Sequence, residues 1–265
     1  METREQWKSS LGFVLAAAGS AVGLGNLWGF AYRASQGGGL AFILLYILIV
    51  LVVCLPVLVA EMVLGRSTGK SPLIAPIQAA GNKWQPMGWL FVIASIGILA
   101  FYAVLMGWTA DTFFHSLFFG LPGNMSEAET FFGSISSGNS VLLGQLLSLI
   151  LTASVVAAGV RGGIEKLTKW CVPLLFLLLV VLAIWSATLP GTWEGYRTFL
   201  LRWDTSEFFN STTIRNAFTQ AFFSLSLGIG VMIAYSSYLD RSKKLPKQAL
   251  AVASLDTSVG ILAGM

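Results

Sequence analysis

Long apolar blocks recur along this chain, at Leu11 to Ala31, Ala41 to Leu64, Met87 to Phe119, Val141 to Val160, Leu167 to Leu189 and Phe218 to Leu239. Each has the roughly 20 residues that a helix needs to cross a bilayer. A seventh block starts near Gln248 and runs to Met265. The pattern predicts an all-α polytopic membrane protein. The first block is no removable leader, because it is too long, holds Asn26 at its centre and leads into further spans instead of a small-residue cleavage site.

Two blocks are interrupted in the middle. In "GSAVGLGNLWGFAY", Gly19 to Tyr32, four glycines and an asparagine stand where a plain span would carry leucines. Gly19 with Gly23, and Gly25 with Gly29, form GxxxG pairs, which point to close helix packing. Packing leaves Asn26 unexplained. The same oddity recurs in "NAFTQAFFSLSLGIGVMIAYSSY", where Gln220, Ser224, Ser226, Gly228 and Gly230 break the sixth block. Unwound backbone at bilayer depth is tolerated where it lines a cavity. Its freed carbonyls suit a cation, and half-helix amino ends suit a carboxylate. An amino acid accompanied by sodium is the simplest pair that fits both.

Composition adds little chemistry. The 265 residues are 55% hydrophobic and 11% charged, against about 25% charged in soluble domains. The single histidine, His115, reads as an interfacial side chain, and Cys54 and Cys171 read as small buried hydrophobes. No nucleophile and base pair stands out, so an enzyme is disfavoured, and no organic cofactor is expected. The net charge of +4 reads as topology. An inside amino terminus puts Arg4, Lys8, Arg66, Lys70, Lys83, Arg161, Lys166, Lys169, Arg241, Lys243, Lys244 and Lys247 on the cytoplasmic face, twelve of sixteen basic residues. A multi-pass protein of the plasma or inner membrane follows. No basic stripe with interleaved aromatics calls for nucleic acid.

"AVGLGN" in the first span and "SLSLGIG" in the sixth resemble the neurotransmitter:sodium symporters, a family that includes the bacterial leucine transporter. That family is a standing example of inverted repeats and broken helices. "TREQWKSSLG", "PVLVAEMVLGR" with Glu61, "VRGGIEKLTK", and the Gly163 and Pro173 pair extend the likeness along the whole chain. The resemblance implies the amino-terminal part of an inverted-repeat bundle, broken in helices one and six. Residues 1–189 would form the first five-span repeat. Residues 190–265 would supply an external loop, span six and the start of span seven.

The resemblance also implies sites. A first sodium site would use Ala21, Asn26, Ser224 and Asp256, and a second would retain only Gly19 and Val22. The substrate carboxylate would meet Tyr102 and the N–H groups of Leu24 and Gly25. Its ammonium would meet carbonyls of Ala21, Phe223 and Ser224 with the Ser226 hydroxyl. Ile98, Tyr102, Phe223 and Ile229 would wall a pocket for a neutral, apolar amino acid. Arg4, Trp7, Arg33 and Tyr238 would serve the gates, with Arg33 standing in for the usual outer-gate arginine that Gly29 replaces. Glu61 is expected to tie spans one and six together. Asp256 is expected to supply the counter-charge to sodium, at a site where chloride-dependent members use residues corresponding to Tyr46, Gln220 and Ser224.

The expected function is therefore sodium-coupled import by alternating access, within a lipid bilayer. The chain stops inside span seven, so it is expected to be part of a longer transporter and not to transport unaided. The alternatives are a truncated, non-transporting membrane fragment or a regulatory module. The sequence leaves the oligomeric state open.

Overall fold

The structure is a computed structural model that describes residues 5–265, apart from the side chains of residues 138–140. Every regular element among the described residues is helical. Helix α1, Ser10–Ala21, starts on the Ser9 side chain, which accepts from the Gly12 N–H at 2.9 Å. It stops at Ala21 because the Gly23 N–H is drawn to Asn26 Oδ1, 3.2 Å away, instead of back along the helix. After a π-turn over Gly25–Gly29 the chain resumes as α2, Phe30–Gln36, bent by 62° from α1. The first span is thus broken where its glycines and Asn26 stand.

Helix α3, Leu40–Ile49, runs through a π-turn at Val50–Cys54 into α4, Leu55–Thr68, giving 29 continuous residues. Pro56 sits in the first turn after that bulge, where its missing N–H is tolerated. Gly69 ends the helix in the left-handed region at φ 61°. A short α5, Ala75–Ala80, leads to α6, Gln85–Phe119.

The polar stretch between the third and fourth apolar blocks contains a helix, α7, Met125–Ser136, capped by Asn124, whose side chain accepts from the Glu127 N–H. It is followed by α8, Gly138–Ala157, and α9, Glu165–Ser186, which a π-turn at Val160–Ile164 precedes. Then come α10, Thr192–Leu200, and α11, Thr205–Phe208. The sixth span begins earlier than its apolar block, as α12, Ser211–Ser224, and resumes as α13, Val231–Ser236. Ser226, Gly228 and Gly230 between them have positive φ. Helix α14, Leu245–Gly264, ends the fold.

Among the described residues, three helices are long and apolar enough to cross a membrane, or up to five if each bent pair counts as one span. The best-buried core joins α1, α2, α3, α4, α12, α13 and α14 through Phe13, Phe30, Tyr46, Leu58, Ala221, Met232 and Val252. Phe30 and Tyr46 meet edge to face at 5.0 Å. Glycine contacts bring the helices close. A Cβ on Gly65 would lie 2.1 Å from the Ile233 carbonyl of α13, and a Cβ on Gly107 of α6 would lie 3.0 Å from the Gly144 backbone of α8. The outer faces of α6, α8 and α9 are rich in exposed Leu, Ile and Phe, as lipid contact requires. Cys54 is buried, but Cys171 is exposed on α9, against the expectation for it. It faces outward, where the surroundings of a membrane helix are themselves apolar.

Candidate functional site

The two breaks face each other across the bundle, and α14 closes the gap between them. Asn26 Nδ2 donates to Ser224 Oγ at 2.9 Å, Asp256 Oδ1 at 2.8 Å and the Asp256 carbonyl at 3.1 Å. Asp256 Oδ2 accepts from the Ser224 hydroxyl at 2.7 Å and from Tyr46 at 3.3 Å. All four side chains are at most 1% exposed. Every element of this knot is local in origin: Asn26 hangs on the π-turn, Ser224 on the last turn of α12, Tyr46 on α3 and Asp256 on α14.

The chemistry of the knot suits a hard, monovalent cation. Its ligand atoms are the hydroxyl and carboxylate oxygens of Ser224, Tyr46 and Asp256, with no sulfur or imidazole, which selects against soft metals, while Asn26 turns its amide nitrogen inward because its oxygen accepts from the Gly23 N–H. The end of α1 adds backbone carbonyls at Ala21 and Val22, where the helix has stopped. Gly19, one turn earlier, packs against Val172 of α9.

The same two breaks also line a cavity of ≈540 Å³, within the ~300–1,000 Å³ usual for small-molecule sites. Gly25, Ile98, Tyr102, Phe223, Ser226 and Ile229 line it, together with Ala21 and Val22. Leu24 does not, so the residue expected beside Gly25 stands outside the wall. Ser20, Ser95, Thr219 and Phe222 also line the cavity and escaped the sequence reading. Ser95 was findable, since it sits on the same helical face as Ile98 and Tyr102. The lining contains no Asp, Glu, Lys or Arg.

The gate residues divide. Arg4 lies outside the described residues. The Trp7 indole donates to the Tyr235 carbonyl at 2.8 Å and its backbone N–H to the Tyr238 carbonyl at 3.2 Å. The segment before α1 is thereby strapped to the end of α13. Glu5 extends the strap by accepting from the backbone N–H groups of Val160 and Arg161, which hold its carboxyl below the usual carboxylate range. Arg33 donates to Gln220 Oε1 at 2.6 Å, and Gln220 Nε2 donates to the Gly25 carbonyl at 2.9 Å. Gln220 therefore ties Arg33 to the first break and takes no part in the Asp256 knot.

Glu61 departs from expectation. Its Oε1 accepts from the Gly228 N–H in the second break at 2.7 Å, while Oε2 has no partner among the described residues. It is tied to span six alone. His115 meets the Gly120 carbonyl at 3.2 Å and packs on Phe131.

Comparison with known proteins fits this arrangement. The chain is 37% identical over 274 residues to an uncharacterized sodium-dependent transporter of Methanocaldococcus jannaschii, covering 98% of this chain and 54% of that protein. It is 38% identical to the uncharacterized sodium-dependent transporter YhdH of Bacillus subtilis, covering 98% of this chain and 58% of that protein. The chain thus spans little more than half the length of these relatives. Among solved structures, the crystal structure of MhsT in complex with L-phenylalanine matches with a TM-score of 0.87 and 40% identity, over 99% of this chain and 60% of that one. These relatives are transporters, and the chain shares their multi-pass helical architecture. The family description "Sodium:neurotransmitter symporter family" fits residues 4–132 and 126–265, and the chain belongs to that family.

Proposed function

We propose that this chain carries the substrate site and the first cation site of a sodium-coupled symporter for a neutral, apolar amino acid. The observation that carries the reading is that the Asn26–Ser224–Asp256 knot and the uncharged cavity are both built from the same two breaks. In this reading Asp256, Asn26, Ser224 and the Ala21 carbonyl hold one sodium ion, and the Gly19 and Val22 carbonyls contribute to a second. The N–H groups freed at Leu24 and Gly25 and the Tyr102 hydroxyl receive the substrate carboxylate. Ser226 and carbonyls of the second break take the ammonium, and Ile98, Phe223 and Ile229 contact the side chain. L-phenylalanine in MhsT supports an apolar substrate of this size.

Alternating access then requires sodium to favour one state of the bundle, since a ligand shifts an equilibrium only by preferring one conformation. The Trp7 strap belongs to the state closed at the amino-terminal face, which we assign to the cytoplasm. Arg33 and Gln220 serve the opposite face. Residues 1–189 act as one repeat and 190–265 as the start of its inverted partner. Asp256 provides the negative charge at the ion site, so chloride is not required.

The test is equilibrium binding of radiolabelled leucine and phenylalanine to the purified protein in sodium or choline buffer, followed by uptake into proteoliposomes. Saturable binding only in sodium supports the reading, and equal uptake with chloride or gluconate supports the role of Asp256. Binding indifferent to sodium overturns the coupling, and a strict chloride requirement overturns the charge assignment. Absence of any binding would favour a non-transporting fragment.

A further inference from the structure

The face that carries the Trp7 strap also carries a cluster of cations with no use in the site described above. Arg66 at the end of α4 and Arg241, Lys243, Lys244 and Lys247 in and after the loop before α14 line two neighbouring hollows that share Val63 and Arg66. The loop is held in place by Arg66, whose Nη1 donates to the Lys243 carbonyl at 2.5 Å. Among the described residues the one ion pair within 4.0 Å is Lys169–Glu165, elsewhere on the molecule, so none of these five charges is paired. Asp240 is the nearby acid. Its carboxylate is occupied by the Ser242 side chain and N–H, which hold it ionised below the usual range, and it offsets one charge of the five.

The groove floor is apolar. Val59 and Val63 of α4 line it with Leu245 and Pro246. Val63, Val59, Pro56 and Val52 fall on one helical face, at spacings of four, three and four residues. Val63 is 48% and Val52 64% exposed, with Pro56 exposed and Val59 half-buried between them, so apolar surface continues along about 16 Å of helix, at 1.5 Å per residue, away from the charged end. A cationic mouth opening onto an outward apolar track has the polarity of a phospholipid, charged at one end and hydrocarbon along its length. A soluble anion would have no use for the track, and an acidic protein segment would be sterically confined by the bilayer beside it.

We infer that the groove between the ends of α4 and α14 binds one anionic glycerophospholipid, with its phosphate on Arg66, Arg241, Lys244 and Lys247 and an acyl chain along Val63, Val59 and Val52. Basic pockets between membrane helices bind acidic headgroups in this way. The site is independent of the solute carried, and failure of amino-acid binding would leave it untouched.

The experiment is native mass spectrometry of the full-length protein released from detergent micelles, titrated with phosphatidylglycerol or phosphatidylcholine of identical acyl chains. The expected result is one retained phosphatidylglycerol at concentrations where phosphatidylcholine is not retained. A combined Arg241→Gln, Lys244→Gln, Lys247→Gln variant spares Arg66 and the loop it holds. It should weaken that binding on the order of 100-fold, at about fivefold per charge. A control with equal charge loss, Lys70→Gln, Lys83→Gln, Lys166→Gln, should retain it. Equal loss in both variants would show diffuse attraction and overturn the site, as would equal retention of the two lipids. Competition by glycerol 3-phosphate at the lipid's own concentration would reveal a free-anion site and also overturn it.

Discussion

Asp256 bears two separable duties, holding three helices together and presenting a charge, and two substitutions divide them. Asp256→Ala removes the acceptor of three buried donors, from Asn26, Ser224 and Tyr46. Asn26 keeps Ser224 and the residue-256 carbonyl as acceptors, so the Ser224 and Tyr46 hydroxyls are the two orphaned donors, and at ~1–3 kcal/mol each the loss should be about 2–6 kcal/mol. Asp256→Asn keeps the shape. With its amide oxygen toward Asn26, the new NH2 faces Ser224 and Tyr46, whose hydroxyls can reverse and accept. Its structural loss should stay within ~1–2 kcal/mol, while the charge is gone. The assay is thermal unfolding in detergent across a sodium titration, with choline holding ionic strength constant. An ion that binds only the folded state stabilises it by ~2.7 kcal/mol at 100 times its Kd. The wild type should show that rise, Asp256→Ala a lowered baseline, and Asp256→Asn a near-normal baseline with the sodium midpoint raised more than about tenfold. An unchanged midpoint in Asp256→Asn would refute the reasoning, leaving Asp256 as a packing hub alone.

Gly25→Ala places a Cβ 2.8 Å from the Phe223 ring and should weaken amino-acid binding at least about tenfold, with Phe223→Leu restoring part of it in the double variant. Ser226 holds φ 52° beside the cavity, a conformation that glycine adopts freely, so Ser226→Gly should match or exceed wild-type thermal stability while losing amino-acid affinity. Gly65→Ala drives a Cβ into the Ile233 carbonyl and should destabilise the bundle by ~1–3 kcal/mol, read as a lower unfolding temperature without a change in sodium midpoint. Glu5→Gln weakens the bonds to Val160 and Arg161 and should speed hydrogen exchange at those two amides, leaving α12 unaffected.

Both breaks were legible because they violate the surrounding pattern: Asn26 and three of its neighbouring glycines stand in a run that lipid would otherwise fill with leucine. Helix ends were less so. The apolar block of the sixth span starts at Phe218, yet α12 begins at Ser211 on an Asn210 cap, because Thr212, Thr213 and Arg215 are outside the apolar zone but still helical. Apolarity marks bilayer depth, whereas hydrogen bonding marks the helix. Helix α7 escaped for the same reason, its Asn124 and Glu127 cap being a local signal in a segment too polar to span. Gln220 was placed with Tyr46 and Ser224 by resemblance. It lies instead under Arg33, because a guanidinium so close competes for the amide oxygen more strongly than a hydroxyl does. Such partners are set by tertiary approach, and nothing within a single span encodes them.

The glycines of the first span also show how helix packing and the walls of the cavity are related. Gly19 does pack, against Val172. Gly23 and Gly25, however, are small for the sake of Tyr102 and Phe223, whose side chains lie 3.2 and 2.8 Å from where a Cβ would stand. Those two rings are walls of the cavity. The absence of side chains at the break therefore sets the position of the walls, and packing and site are one arrangement. It follows that the break cannot be straightened without displacing both rings.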